Sequence, residues 1–469
     1  MESLRSIPEA MQERILKGPI VKTLFVLGWP IMLTNVFQML YNITDTFWLG
    51  KVSVEAVAAP TLAWPLVFLF VSLAAGLGVA GVALVSQYTG AGNITEVKRS
   101  AGQVMSILTL LSILISILGV LGTDLILQFM GAAPGVIEQS SPYVKLIFAG
   151  MPFMFITIIY SFILRGWGDT RTPMYITAFS VGLNIVLDPF LILGVGGAVP
   201  AYGIVGAGIA TLISRVIGGL VSLYLLFRSK RTLTISKSDL KIEKDRARKI
   251  FKIGIPSSVG QAMVALGFVI LVAFAANLGT EVLAAYGIGD RVISLVFIIT
   301  GGLTGAAVTM IGQCLGAEEE RRAKKVLYRT ITVTGIFLFL CSVAFYLLRV
   351  QIISVFIDDP LVIEEGGKFY TLFGFSIAFF GIFASSQSAF QAAGHTVPSM
   401  ILGIMRLWAM RVPLAFLLAF PMGLGSDGVW IGMSLSNLLS AIMAVAWVSL
   451  GTWQKGAIEK PPSEVGGAL

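Results

Sequence analysis

The sequence predicts an all-α integral membrane protein with twelve transmembrane helices, arranged as two six-helix bundles related by pseudo-two-fold symmetry. Three observations predict it. Of the 469 residues, 56% are hydrophobic and only 12% charged, about half the charge of a soluble domain. The mean hydropathy of +0.88 describes more apolar surface than a water-soluble fold can hide. The second half of the chain also repeats motifs of the first at a constant offset. Most soluble enzyme folds and nucleic-acid modules are therefore excluded. The net charge of +8 does not indicate nucleic acid, because the basic residues sit in short loops between apolar runs. Two cysteines, Cys314 and Cys341, make no disulfide framework.

A helix of ~20 apolar residues crosses a bilayer. By that ruler the first six spans are 21–45, 57–83, 101–122, 143–164, 173–195 and 203–227. The second six are 253–276, 284–312, 327–348, 369–391, 398–420 and 428–450. The loops between them fix the orientation. Arg5, Arg14, Lys17 and Lys22 precede span one, Lys98 and Arg99 follow span two, and Arg165 and Arg171 follow span four. A linker running from Arg228 to Lys252 holds ten Lys and Arg residues and follows span six. Arg321, Arg322, Lys324, Lys325 and Arg329 follow span eight, and Lys455 and Lys460 follow span twelve. The opposite loops hold only Lys51, Lys145, Arg349 and Lys368. The basic side is expected to be cytoplasmic, so both termini lie inside and the span count is even.

These spans divide the chain into five parts. Residues 1–20 form a cytoplasmic N-terminal segment, with no apolar core of a signal peptide. Residues 21–227 form the N-terminal bundle, 228–252 a basic linker expected to be a solvated loop, 253–450 the C-terminal bundle and 451–469 a cytoplasmic tail.

The repeat supports this division. Gly28-Trp29-Pro30 matches Gly254-Ile255-Pro256, and Glu55 to Ala59 matches Glu281 to Ala285. Gln87-Tyr88-Thr89-Gly90 matches Gln313-Cys314-Leu315-Gly316, and Gly168-Asp169-Thr170 matches Gly394-His395-Thr396, all offset by 226 residues. Near the end of each half, Gly206 to Ile209 falls against Gly428 to Ile431. Six spans per half make the repeats parallel, related by an axis along the membrane normal. That is a transporter architecture, with substrate between halves that rock against each other. A channel is more naturally an oligomer of a short subunit. Internal duplication lets one chain form the whole pathway, so a monomer is expected.

Ionisable residues at membrane depth are functional hypotheses by default. Thr34, Gln38, Tyr41 and Asp45 share one face of span one. Thr177, Ser180 or Val181, Asn184 and Asp188 make a second stripe on span five. Two stripes that each end in a carboxylate can converge on one interior site. A dry pair of carboxylates disfavours double ionisation, so it can hold a proton and release it when water or a cation enters. With Asn184 and a hydroxyl such as Thr211, the same oxygens suit Na⁺. The candidate coupling site is therefore Asp45, Asp188, Asn184, Tyr41 and Thr211, with H⁺ or Na⁺ as the ion. Candidate substrate-cavity residues are Thr34, Gln38, Tyr143, Asp290 and Arg291, and Pro30 is a candidate hinge inside span one. The repeat supplies a control: Phe274 falls opposite Asp45 and Val412 opposite Asp188, so the second half lacks both carboxylates.

The motifs then carry a family resemblance. Gly28-Trp29-Pro30-Ile31, Asn35, Gln38, the run from Tyr41 to Gly50 and Ala58-Ala59-Pro60 resemble the first span of the multidrug and toxic compound extrusion (MATE) family. Arg165 to Pro173 and Asn184 to Pro189 resemble its fourth loop and fifth span. The resemblance covers residues 20–450 and is strongest to the prokaryotic DinF-like branch, because the membrane carboxylates lie in the N-terminal half. It implies two six-helix bundles forming a V. The implied activity is efflux of drugs or toxic organic cations in exchange for H⁺ or Na⁺. It further implies a plasma-membrane location among lipids, no cofactor and no nucleic-acid partner.

The alternative is a lipid-linked oligosaccharide flippase of the same superfamily. That reading expects basic residues along the cavity, for which Arg215, Arg291, Arg406 and Arg411 are the candidates. An integral-membrane enzyme would need a nucleophile or metal constellation, and no zinc motif, P-loop or nucleophile elbow is present. Gly76-Leu77-Gly78-Val79-Ala80-Gly81 matches a dinucleotide fingerprint but lies inside an apolar span, so close helix packing is expected. His395 is expected to cap a helix, as Asp169 does in the first repeat, and Glu318 to Arg322 to be a solvated loop.

Overall fold

The computed structural model describes residues 7–52, 54–194, 200–229 and 232–458. A short amphipathic helix, α1 (Ile7–Lys17), precedes the spans. The first six spans are α2 (Ile20–Gly50), α3 (Val54–Gly90), α4 (Ile94–Phe129), the pair α5 (Pro134–Ala149) and α6 (Met151–Trp167), α7 (Arg171–Leu193) and α8 (Gly203–Arg228). The second six begin with α9 (Lys244–Leu278), α10 (Thr280–Gly316) and α11 (Glu320–Leu347). A short α12 (Arg349–Ser354) leads into span ten, α13 (Pro360–Leu372) with α14 (Ile377–Ala393). Span eleven is α15 (Thr396–Ile404), a π-helical stretch over Met405–Arg411 and α16 (Val412–Ala419), and span twelve is α17 (Gly425–Ser449). Among the described residues, eleven helices are long and apolar enough to cross a membrane, and α5 with α6 makes a twelfth.

The spans agree with the sequence in number and order, but most of the helices overrun the apolar windows. The polar ends keep their helical hydrogen bonds beyond the hydrocarbon layer, where side-chain hydropathy no longer reports them. Span four is broken by a 41° bend between α5 and α6. Pro152, at the start of α6, cannot donate a backbone hydrogen bond there.

The two halves interlock by reciprocal crossings of their first and second spans. α2 packs on α10 and α9 packs on α3. A Cβ on Gly28 would sit 3.2 Å from the Gly302 carbonyl oxygen, and one on Gly254 only 2.9 Å from the Leu77 Cα. A Cβ on Gly76, the repeat equivalent of Gly302, would collide with Ser258 at 2.3 Å. Gly78 and Gly81 of the same motif lie against Phe162 and Val104. The fingerprint-like glycines thus serve helix packing.

Three surface expectations are corrected. The basic linker is docked rather than solvated: Ser106 Oγ donates to the Leu240 carbonyl at 2.9 Å, and Arg246 pairs with Glu96 at 2.8 Å. Its last residues are already helical, because α9 starts at Lys244. Arg322 is also engaged, donating to the Ile15 and Gly18 carbonyls at 2.7 and 2.5 Å and so closing the C-terminal end of α1. Asp169 does cap α7, accepting from the Arg171 and Thr172 amides at 3.0 Å. His395 makes no such capping bond; its imidazole meets the Thr452 backbone instead.

Candidate functional site

The sequence stripes on α2 and α7 meet because α7 packs against both α2 and α8. Asp45 is 6% exposed, Thr211 1%, and Asn184 and Asp188 are fully buried. Tyr41 and Thr211, 170 residues apart in sequence, join hydroxyls at 2.7 Å and tie α2 to α8. Asn184 Nδ2 donates to Asp188 Oδ1 at 3.1 Å, one turn along α7. Asp188 lies within electrostatic reach of Asp45. The five candidate coupling residues therefore form one cluster in the N-terminal half.

Its oxygens are incompletely satisfied. Asp45 Oδ1, Asp188 Oδ2 and Asn184 Oδ1 are buried without a hydrogen-bond partner. A buried oxygen left unpaired is costly, and a carboxylate more so. The set contains only oxygen donors, which suits a proton or a hard cation. No metal-type cluster of His, Cys, Asp and Glu occurs among the described residues.

Sequence reasoning gave Arg215 no part in this site, treating it only as a flippase candidate. It lies four residues beyond Thr211 on α8 and acts electrostatically on Asp45, Tyr41 and Tyr143. One of its guanidinium nitrogens, Nη1, is buried without a partner. The spacing of Thr211 and Arg215 was a usable signal, because residues four apart share a helix face.

The five proposed substrate-cavity residues scatter. Tyr143 is buried on α5 beside the carboxylate cluster. Thr34 turns its hydroxyl back onto the Pro30 carbonyl at 2.8 Å, and Gln38 is exposed. Asp290 lines a cavity in the C-terminal half, together with Arg406 and Arg411. Asp290 and Arg291 are both exposed, but Arg291 lies outside that lining, because neighbours on a helix point about 100° apart.

The C-terminal half has the opposite balance of charge. Arg406 and Arg411 are 5% and 2% exposed on the π-helical stretch. Arg411 Nε donates to Ser436 Oγ at 2.9 Å and its Nη2 to Asn437 Oδ1. Phe274, opposite Asp45 in the repeat, packs on Phe416 and Phe420 with ring centroids 5.9 and 5.7 Å apart. One half thus buries two carboxylates near one guanidinium, and the other two guanidiniums near one carboxylate.

The family model described as MatE matches residues 30–190 and 256–417, one stretch in each half. The chain is 30% identical over 435 residues to a probable multidrug resistance protein, YoeA, of Bacillus subtilis (strain 168), covering 92% of this chain and 94% of that one. It is 28% identical to the probable multidrug resistance protein NorM of Thermotoga maritima, covering 94% of each. A crystal structure of MATE in the bent conformation superposes with a TM-score of 0.88 at 25% identity, over 95% of this chain and 99% of that one.

Proposed function

The chain belongs to the MatE family, and from that premise we propose that its efflux of organic compounds is driven by exchange for H⁺ or Na⁺ at Asp45 and Asp188. As a member it is a multi-pass membrane transporter for small molecules and not an enzyme. The observation that carries the coupling reading is the set of three buried, unpartnered oxygens on Asp45, Asn184 and Asp188. Two ionised carboxylates beside the single guanidinium of Arg215 leave one excess negative charge. One proton or one Na⁺ neutralises it, so one ion per cycle is the expected stoichiometry.

In this reading the loaded site draws α2 and α7 together around the cation, and cation release lets them part. Pro30 supplies the pivot in α2, where the ring removes one helical hydrogen bond. The N-terminal half thereby alternates between two arrangements while the C-terminal half, which lacks Asp45 and Asp188 equivalents, stays rigid. The five-part division of the chain, the cytoplasmic placement of both termini, the plasma membrane as location and a monomeric state belong to the same proposal. Organic cations suit the excess negative charge of the N-terminal site.

The test is efflux of a fluorescent organic cation from proteoliposomes, with a H⁺ gradient or a Na⁺ gradient imposed alone. Export that follows one gradient and disappears in Asp45→Asn supports the reading. Export at the wild-type rate in that variant rejects it.

A further inference from the structure

We propose that the C-terminal half contains a second binding site, for a monoanionic aromatic compound, at Arg406 and Arg411. Arg406 is a buried guanidinium with almost nothing to neutralise it. Its Nη1 reaches Asn437 Oδ1 only at 3.5 Å, its Nε has no partner, and no carboxylate among the described residues forms an ion pair with it. An isolated buried charge of this kind is among the most costly features a fold can keep. A bound anion removes that cost.

The surroundings specify what the anion is attached to. Arg406 lies over the rings of Phe380 and Phe383, at 5.0 and 5.1 Å from their centroids. Arg411 lies 5.9 and 5.8 Å from Phe268 and Phe373. Both guanidiniums open into a cavity of about 170 Å³, which adjoins a second of about 310 Å³ sharing Val264, Phe268, Phe380 and Arg406. Phenyl walls and planar guanidiniums favour a flat aromatic body carrying a carboxylate or sulfonate. Asp290 lines the same cavity and lies within electrostatic reach of Arg411. Two guanidiniums against one carboxylate leave one positive charge to be met, and Asp290 repels a second negative charge on the ligand.

The backbone gives an independent indication. The two arginines stand at positions 406 and 411 of a π-helical stretch in the middle of span eleven. Such stretches are rare and are frequently found at functional sites. Their five-residue repeat aims both guanidiniums at Asn437, which an α-helical register would not do. This site deepens the transporter reading, adding anionic compounds to its cargo. Binding at the site needs no gradient, so its failure and the failure of ion-driven efflux are read separately.

The test is equilibrium binding of 1-naphthoate to the purified full-length protein in detergent, with 1-naphthamide as the uncharged control. Saturable binding of the acid, at least tenfold tighter than the amide, is expected. Arg406→Gln weakens it at least tenfold. If that variant does not stay folded, Val264→Phe keeps both guanidiniums and narrows the shared cavity wall, and the same loss is expected. Equal binding of acid and amide, no saturable binding of the acid, or unchanged affinity in a folded variant overturns the proposal.

Discussion

Gln87 and Gln313 are repeat equivalents, and each donates its side-chain amide to a backbone carbonyl of the opposite half, Gln87 to Ala392 at 2.7 Å and Gln313 to Gly166 at 3.0 Å. The acceptors are themselves equivalent, offset by the same 226 residues as the donors. A Cβ on Gly90 would collide with the Gln313 carbonyl and one on Gly316 with the Gln87 carbonyl. The two second spans therefore meet backbone to backbone at the ends next to the basic loops. The halves are closed on that side.

This closure is expected to weaken when one amide is removed. Gln313→Ala deletes a hydrogen bond worth about 1 kcal/mol net, or about fivefold in the opening equilibrium. Cys314 is fully buried beside it. With Cys341 replaced by Ser, maleimide labelling of Cys314 should rise about fivefold in Gln313→Ala. An unchanged rate would mean that the pair does not hold the closed side.

Arg215 should set how tightly the carboxylate cluster holds its ion. In Arg215→Gln the two acids face no fixed positive charge, so the cation-loaded form is favoured and release needs a more alkaline medium. The alkaline limb of the efflux profile should move up by about one pH unit, about 1.4 kcal/mol of interaction. With Na⁺ as the ion, the half-saturating concentration should instead fall about tenfold. A profile that stays put, or moves to lower pH, removes Arg215 from the site.

Phe274→Asp, the mirror of Asp45 in the repeat, should not create a second coupling site. The new carboxylate would face Phe416 and Phe420, with no Asn184-like or Asp188-like oxygen on span eleven. Phe274 is half-buried, so the expected loss of stability is about 2 kcal/mol, below the ~3–5 kcal/mol of a fully buried Phe→Ala change. It should appear as a lower melting temperature with an unaltered ion-to-drug ratio. A rise in that ratio would sink the asymmetry between the halves.

Much of this arrangement was legible in the sequence. The span count follows from hydropathy, and the repeat at constant offset pairs Gly28 with Gly254, although the reciprocal crossings they make are visible only in the structure. The pairing of Tyr41 with Thr211 was within reach because Tyr41 sits on a polar stripe and Thr211 is named as a hydroxyl for the same site. The bend in span four was missed, although Pro152 marks it, because hydropathy is blind to a helix break inside an apolar run. The docking of the linker on Ser106 and Glu96 was missed because its composition matches a solvated loop. The π-helical register over Met405–Arg411 was also missed. Its arginines bond to Ser436 and Asn437, which only the packing of span twelve brings near.

Whether Asp45 and Asp188 carry the coupling ion is read from drug-triggered ion movement. Purified protein is reconstituted in liposomes with an internal pH dye, or with ²²Na⁺, and organic cation is added with no gradient imposed. About one ion should move against each drug molecule in the wild type. No drug-triggered ion movement is expected in either Asp45→Asn or Asp188→Asn, with both variants still folded and still binding drug. Ion movement at the wild-type ratio in both variants would mean that neither carboxylate carries the ion.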